Sequence, residues 1–258
     1  MNLDGHLHVF DAGLPLRATR RYAPDYSATP ADLLARLDDE GMVGALLVQP
    51  SFLADHDYLL EAAAAHPDRF RAVVSPADLD ELRRGWPRWV EAGVVGVRLN
   101  LVGRDLPDLA APDWRVVGAW MASQGMHLEI HAAGDQWASL AAPLASWPSA
   151  VIIDHLGRTA DVAPLVALGE RAHVWFKASA PYRWPGVAAA ERLVGELVER
   201  TGGERLVWGS DWPFTQHESE VTYAEMVASL AERFPAVAAS ADQNLQRLLG
   251  ERAFPDVP

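Results

Sequence analysis

Apolar residues recur along this chain with two alternating spacings. Short runs rich in Val, Ile and Leu are typical of strands buried in a parallel sheet, whereas the longer stretches between them repeat an apolar residue every three or four positions, as amphipathic helices do. We predict strands at 2–9, 44–49, 70–75, 94–101, 126–132, 150–156, 173–179 and 205–211. Helical spacing follows them, from Pro30 onward and at 55–65, 78–92, 113–124, 136–146, 161–171, 186–201 and 219–233.

The first helix carries clear signals at both ends. Thr29 suits the N-cap, Pro30 suits the first helical position, and Asp32 supplies an acidic residue three positions after the cap. Glu40 is followed by Gly41, and a glycine commonly ends a helix. The sequence therefore predicts a helix that begins at Pro30 and ends at Glu40.

The alternation of strands and helices predicts an α/β fold, a single (β/α)8 TIM barrel over residues 1–258. The chain length of 258 residues suits this fold, since barrels typically have ~250 residues. A doubly wound open sheet is the competing architecture, but no Gly-rich phosphate-binding loop follows the first strand. The longest connection, at 10–43, holds an irregular segment that a barrel would place at the mouth of its active site.

Composition narrows the possible partners. The chain has 35 acidic and 22 basic residues, and its net charge of −13 argues against nucleic acid or a membrane surface as a partner, because both bind a basic face. A small anionic substrate remains compatible, since it contacts only the lining of its pocket. The absence of cysteine excludes disulfides, thiolate metal sites and cysteine nucleophiles. No membrane span or targeting segment is recognisable, so we expect a cytoplasmic protein.

Polar residues gather at the carboxyl ends of the predicted strands, where barrel enzymes carry their catalytic groups. His6 and His8 lie on one face of the first strand, because they are two residues apart. The later strands end with Gln49, Arg98, Asn100, His131, His155, Lys177, Ser179 and Asp211. A lone histidine in a strand is usually a hydrogen-bonded core residue. Four histidines and an aspartate that converge on one rim instead predict an active site.

Two further charged residues are expected inside the barrel. Glu129 shares a face of the fifth strand with His127 and His131, and Lys177 lies on the corresponding face of the seventh. Both side chains are therefore expected to point inward. We predict that they meet as a buried, structural ion pair.

Several motifs resemble those of the amidohydrolase superfamily. They are HLH in the first strand, EIHAAG in the fifth, DHLGR in the sixth, GSDWP in the eighth and NLQRLLG in a C-terminal helix. The further motifs RRYAP, LLVQPS, GVRLN and KASAPYR are similar to the amidohydrolase-2 branch that contains 2-pyrone-4,6-dicarboxylate lactonase and related lactonases. The resemblance extends from His6 to Leu249.

This resemblance implies a hydrolase of aromatic catabolism that opens a carboxylated lactone, similar to 2-pyrone-4,6-dicarboxylate. Asp211 is then expected to act as the general base that activates water. His6, His8 and His155 are expected to donate hydrogen bonds that polarise the lactone carbonyl.

A metal ion is the main open question of the predicted site. His6, His8, His131 and Asp211 would suffice for one zinc ion with an open position for water. A second metal is disfavoured, because such sites in the superfamily are bridged by a modified lysine or a glutamate on strand 4 or 3, whereas strand 4 here offers Arg98. The lactonases resembled here are held to work without metal. We therefore favour no required cofactor and keep one zinc ion as the alternative.

Arginines near the strand ends predict the chemistry of the substrate. The guanidinium group binds carboxylates through two parallel N–H donors. Several arginines around one pocket, in a chain of net charge −13, therefore indicate a substrate with one or more carboxylates. The candidate substrate-binding residues are Arg98, Arg104, Arg183, Tyr22, Tyr182 and Gln49.

Two other enzyme classes remain open. A zinc-dependent decarboxylase of an aromatic or semialdehyde acid would use the same three histidines and aspartate. A sugar lactonase would need groups that bind hydroxyls, and the number of arginines argues against it. The oligomeric state stays open.

Overall fold

Eight parallel strands form a closed barrel in the computed structural model, which describes residues 2–255. The strands pair in chain order, and an isolated parallel bridge between Leu7 and Trp212 joins the first strand to the segment after the eighth. The predicted (β/α)8 TIM barrel is confirmed, and the open sheet is excluded. The strands are β1 Leu3–Leu7, β2 Gly44–Val48, β3 Phe70–Val74, β4 Gly96–Asn100, β5 His127–His131, β6 Val151–Ile153, β7 Val174–Ser179 and β8 Leu206–Gly209.

Helices follow every strand and cover the outside of the barrel. They are α1 Pro30–Asp39, α2 Asp57–Ala65, α3 Leu79–Glu91, α4 Pro112–Ser123, α5 Gln136–Leu144, α6 Ala163–Gly169, α7 Val187–Thr201, α8 Tyr223–Arg233 and α9 Pro235–Leu249. Short 3-10 turns occur at Asp154–Arg158, Pro181–Arg183 and Gly250–Arg252. No helix within residues 2–255 combines the length and the apolar character needed to cross a bilayer.

The start of α1 has the predicted capping geometry. The Thr29 hydroxyl accepts from the backbone N–H of Asp32 at 3.1 Å, and the Asp32 carboxylate accepts from the backbone N–H of Thr29 at 3.0 Å. This reciprocal pair satisfies two N–H groups that the helix itself leaves free. The last helix, α9, is tied to the barrel through Asn244, whose amide donates to the carbonyls of Gly203 and Leu206.

Seven of the eight predicted strands end one to three residues earlier than expected, and His8 and Gln49 directly follow β1 and β2. The difference matters most for β6 and β8. β6 ends at Ile153 and β8 at Gly209, so His155 and Asp211 do not end their strands as predicted. Both adopt left-handed backbone, with φ of 52° and 67° respectively. An extended strand cannot contain such residues. The chain therefore leaves the sheet before these side chains and turns them toward the barrel mouth.

Candidate active site

Asp211 lies at the centre of a buried polar cluster at the carboxyl end of the barrel. Its Oδ1 is 3.5 Å from Nε2 of His6, 3.5 Å from Nε2 of His8 and 3.8 Å from Nε2 of His155. These side chains are almost completely excluded from solvent. The three histidines thus lie around Asp211, as the sequence predicted.

The other carboxylate oxygen of Asp211 is held by two donors. Nε of Arg183 donates to Oδ2 at 2.8 Å, and the Tyr182 hydroxyl donates to the same atom at 2.7 Å. Burial by itself would raise the pKa of Asp211, but the Arg183 guanidinium together with His155, His8 and His6 outweighs it and leaves that pKa well below its usual value. Asp211 is therefore ionised, as a general base must be.

His6 and His8 present their rings to Asp211 in different states. Nδ1 of His8 lies 2.7 Å from the carbonyl oxygen of Val48, which can only accept, so this nitrogen carries a proton. Nδ1 of His6 lies 2.9 Å from the ammonium of Lys177, which can only donate. The neutral His6 ring thus has its proton on Nε2. Nε2 of His8 becomes a donor only when that ring is an imidazolium.

His155 is held by the end of β7. Its Nδ1 lies 2.7 Å from the Ser179 hydroxyl. Burial lowers the pKa of His155 to about 3, although Asp211 acts in the opposite direction. The ring is therefore neutral at physiological pH, with Nε2 directed at Asp211.

His131 is separated from the group around Asp211. Nη1 of Arg158 donates to its Nε2 at 3.1 Å. Burial and the nearby Arg98 keep the pKa of His131 well below its usual value, so the ring is neutral. Nε2 of His131 is therefore an acceptor for a guanidinium, while its Nδ1 is buried without a hydrogen-bond partner within residues 2–255.

A layer of buried charges supports the cluster from below. Lys177 lies 2.8 Å from Glu129 and 3.2 Å from Asp154, and Nε of Arg98 donates to Asp154 at 2.7 Å. The predicted Glu129–Lys177 pair is thus confirmed. Burial would raise the pKa of Asp154, but Lys177 and Arg98 lower it far below the usual carboxyl range. Asp154 was not predicted, although its place two residues after the inward-facing Ile152 would have indicated it.

A cavity of about 140 Å³ opens onto Asp211, and His8, His131 and His155 contribute to its walls. Its lining is rich in arginine and includes a tyrosine from the long first connection. These residues are Arg21, Tyr22, Arg98, Arg158 and Arg183. The irregular segment of that connection was expected at the mouth, and Arg21 and Tyr22 do lie there.

The arginines of the cavity fall into two groups. Arg98 and Arg183 are paired with Asp154 and Asp211, so the protein itself supplies the carboxylates that they bind. Within residues 2–255, Arg21 and Arg158 have no acidic partner, and Arg21 contacts only the Asn100 amide oxygen at 3.4 Å.

Charge repulsion marks this second group as a place for an anion. Burial and neighbouring guanidiniums lower the pKa of both Arg21 and Arg158, with Arg104 acting on the first and Arg183 on the second. An anion placed between them would relieve this repulsion. Arg21 and Arg158 therefore join the residues that the sequence suggested as candidates for substrate binding.

The remaining predicted substrate residues occupy different places. Arg104 lines an adjoining cavity of about 300 Å³ that shares Ser51 and Asn100 with the first. The Tyr22 hydroxyl donates to Glu218 at 3.1 Å. Tyr182 contacts Asp211 rather than the open part of the cavity.

Gln49, like Tyr182, lies outside the cavity lining. Its side chain is fully buried, and its amide nitrogen donates to the carbonyl of Asp55 at 2.6 Å. It thereby supports the loop after β2. Substrate binding by Gln49 stays a prediction, and no contact of Gln49 with the cavity supports it.

Spacing alone would allow a metal ion. Nitrogens of His6 and His8 and an oxygen of Asp211 lie within 4.8 Å of one another. A tetrahedral zinc ion with bonds of ~2.0–2.1 Å would separate its ligand atoms by about 3.3 Å, which is close to the observed 3.5 Å.

The hydrogen bonds of the same residues do not fit that ion. A zinc-bound imidazole nitrogen must carry a lone pair, whereas Lys177 leaves the proton of His6 on Nε2. Nε2 of His131, the fourth predicted ligand, accepts from Arg158. The donor set as bonded here therefore does not form the predicted zinc site.

The sequence matches the Amidohydrolase family over residues 3–253. The 2-pyrone-4,6-dicarboxylate hydrolase of Comamonas testosteroni is 28% identical over 242 residues, which cover 82% of this chain and 76% of that protein. The 4-sulfomuconolactone hydrolase of Rhizobium radiobacter is 27% identical over 232 residues, which cover 81% of this chain and 75% of the relative.

A similar fold occurs in a solved structure. The crystal structure of a probable 2-pyrone-4,6-dicarboxylic acid hydrolase from Acinetobacter baumannii, with citric acid bound, aligns with a TM-score of 0.83. The two sequences are 30% identical, and the alignment covers 97% of this chain and 100% of the other. The likeness thus extends over the whole barrel.

Proposed function

Because the chain belongs to the amidohydrolase family, we propose that it hydrolyses a lactone ring that carries carboxylates, of the 2-pyrone-4,6-dicarboxylate type. One observation carries the proposal: an ionised Asp211 faces a cavity in which Arg21 and Arg158 lack an acidic partner within residues 2–255. The first feature suits water activation, and the second suits an anionic substrate. The names of two relatives, both lactone hydrolases, are consistent with this reaction.

Asp211 removes a proton from water, and the resulting hydroxide attacks the lactone carbonyl carbon. The carbonyl oxygen gains negative charge, and in this proposal the Nε2–H of His6 donates a hydrogen bond to it. The tetrahedral intermediate then expels the ring oxygen, which takes up the proton held by Asp211. The product is a single open-chain molecule that carries a new hydroxyl group and a new carboxyl group, and the carboxyl group then loses its proton to solvent.

Electrostatic stabilisation is expected to supply most of the rate. The strongly lowered pKa of Asp211 keeps the carboxylate ionised, but it also makes Asp211 a weak base, because a group with a low pKa binds a proton weakly. Preformed donors in a site shielded from water compensate, because they stabilise the oxyanion without having to reorganise. His155, held by Ser179, and a protonated His8 would add to the donor of His6.

The substrate's carboxylates are bound by arginines at the cavity mouth. Arg21 and Arg158 are the first candidates, because the described chain offers them no acidic partner. Arg104 is placed to contact a group that extends into the adjoining cavity. The main cavity, at about 140 Å³, is smaller than the ~300–1,000 Å³ typical of drug-sized ligands, so it suits a single ring.

The reaction is proposed to need no metal, with one zinc ion as the alternative that the experiment separates. Protein treated with a chelator is mixed with 2-pyrone-4,6-dicarboxylate, and loss of the pyrone ultraviolet band is followed. Turnover by the chelated protein supports the proposal. Turnover only after zinc is added contradicts the metal-free chemistry. Release of carbon dioxide from an aromatic acid, with an intact pyrone band, would identify a decarboxylase instead.

A further inference from the structure

We infer that Lys177 is a positioning residue that fixes the proton of His6 on Nε2 and thereby keeps zinc out of the site. The inference concerns the hydrogen bonds of the protein itself. It rests on the proposed lactone hydrolysis only for its activity readout.

The surroundings of Lys177 leave its ammonium one role toward His6. Nζ lies 2.8 Å from Glu129 Oε1, 2.9 Å from His6 Nδ1 and 3.2 Å from Asp154 Oδ1. Two carboxylates beside one amine favour its charged form. An ammonium has three N–H donors and no lone pair, so Nδ1 of His6 has to accept.

No other neighbour could receive a proton from Nδ1 of His6. Asp154 Oδ1 is 3.6 Å away and Glu129 Oε2 is 3.9 Å away, both beyond hydrogen-bond distance. The opposite nitrogen, Nε2, is buried and has no hydrogen-bond partner within residues 2–255. The N–H on Nε2 therefore faces Oδ1 of Asp211, 3.5 Å away.

The use of lysine at this position is itself informative. The chain contains 22 lysines and arginines in total, and Lys177 is the only lysine. Its side chain is fully buried. A compact ammonium can turn its three donors toward neighbours in different directions, whereas the five donors of a guanidinium are fixed in one plane. The single lysine therefore stands where a point-like cation is needed.

His8 provides the internal comparison. Its Nδ1–H donates to the carbonyl of Val48, which leaves a lone pair on Nε2 of the neutral ring and matches the usual second contact of a metal-bound histidine. His6 has the reverse arrangement, because its Nδ1 faces a cation. Of the two adjacent rings, only His8 is prepared for a metal. Removal of Lys177 would let His6 donate from Nδ1 to Asp154.

The decisive variants remove the ammonium while keeping the core charges balanced. Lys177→Met alone leaves two buried carboxylates with one cation, so Lys177→Met combined with Glu129→Gln is the main test protein. Glu129→Gln alone is the matched control, since it retains the ammonium on His6. The tautomer of His6 is read from 15N imidazole shifts of histidine-labelled protein, and the His6 signal is assigned with His6→Gln.

The wild-type protein is expected to show the Nε2–H tautomer of His6 and weak binding of zinc chloride in equilibrium dialysis. The double variant is expected to show the Nδ1–H tautomer, at least tenfold tighter zinc binding, and a lower kcat on the lactone at similar KM. Adding Asp211→Asn to the double variant should abolish the gain in zinc binding.

Three results would overturn the inference: an Nδ1–H tautomer in the wild-type protein, unchanged zinc affinity in the folded double variant, or a gain that survives Asp211→Asn. If the double variant does not fold, the wild-type spectrum alone decides the tautomer. Failure of the wild-type protein to open any lactone would contradict the proposed function while leaving the tautomer and zinc results to stand.

Discussion

Nε of Arg183 donates to Oδ2 of Asp211 at 2.8 Å, so a residue expected to bind substrate is bound to the base expected to activate water. The pairing keeps Asp211 ionised inside a buried site, because a nearby cation stabilises the carboxylate. The two carboxylate oxygens therefore have different contacts: Oδ2 accepts from Arg183, whereas Oδ1 faces the histidines. Base strength and substrate binding are therefore linked through one side chain.

Asp211→Asn is expected to lower kcat by a factor on the order of 10²–10⁴, the usual contribution of a general base. The amide has the same shape but cannot accept a proton from water. Circular dichroism and steady-state kinetics on the carboxylated lactone would check the result. Asp113→Asn, which changes a carboxylate 65% exposed on α4, is the control. Near-normal kcat in folded Asp211→Asn would remove Asp211 from the mechanism.

Arg183→Met is expected to move the acid limb of the pH profile of kcat/KM to higher pH. In the native site the pKa of Asp211 lies well below 3.8, so activity should not decline with falling pH until below that value, as long as the protein is folded. Loss of the guanidinium leaves burial to raise the pKa, and protonation then inactivates the base at higher pH. Arg88→Met, at a side chain 59% exposed, is the control. An unchanged limb would show that Arg183 does not set the ionisation of Asp211.

Arg21→Met is expected to raise KM for 2-pyrone-4,6-dicarboxylate by about 10- to 100-fold, since a charge-assisted hydrogen bond contributes ~1.5–3 kcal/mol. KM for the unsubstituted 2-pyrone should change little. The neighbouring Arg20→Met is the matched control, because Arg20 is exposed and donates to the carbonyl of Arg17. Equal effects of Arg21→Met on both lactones would exclude a carboxylate contact.

The sequence predicted the barrel well because its signals are local. Buried strands, helix caps such as Thr29 with Asp32, and the spacing of His6 and His8 depend only on neighbouring residues. The order of parallel strands then follows from the chain itself. From these features alone, the histidines and Asp211 could be predicted to lie at one rim of the barrel, without information on side-chain contacts.

Contacts across the barrel could be predicted only in part. Arg98 was expected to bind the substrate, but its partner is Asp154, whose position depends on where β6 ends and the chain turns. The left-handed backbone at His155 could not be predicted, because such a conformation is usually indicated by a glycine and this position holds a histidine. The role of Arg158 depends on the same turn, which places its guanidinium on His131. The positions of Asp154 and Arg158 in the site could thus not be predicted, because they depend on loop conformation and on contacts between distant parts of the chain.

The free energy of unfolding is expected to fall as the pH drops from 7.5 to 5. Burial lowers the pKa of His155 to about 3 and that of His56 to about 4, below the ordinary value of 6.5 that each regains on unfolding. Below pH 6.5 these histidines therefore bind protons in the unfolded chain but not in the folded protein. Each such histidine lowers the free energy of unfolding by up to ~1.4 kcal/mol per pH unit. Asp154 and Asp211, whose pKa values are lowered, add to this loss only below the usual carboxyl pKa, so the decline begins in the histidine range.

Urea unfolding at pH 7.5, 6.5 and 5 measures this dependence. His56→Gln is the informative variant, because its amide oxygen can still accept from the backbone N–H of Ser75, as Nε2 of His56 does at 3.1 Å. The variant should lose the proton uptake of one histidine, so its stability should decline with pH less steeply than that of the wild-type protein. A wild-type stability that is constant between pH 7.5 and 5 would mean that the folded protein takes up as many protons as the unfolded chain in this range, and would contradict the neutral rings on which the geometry around Asp211 depends.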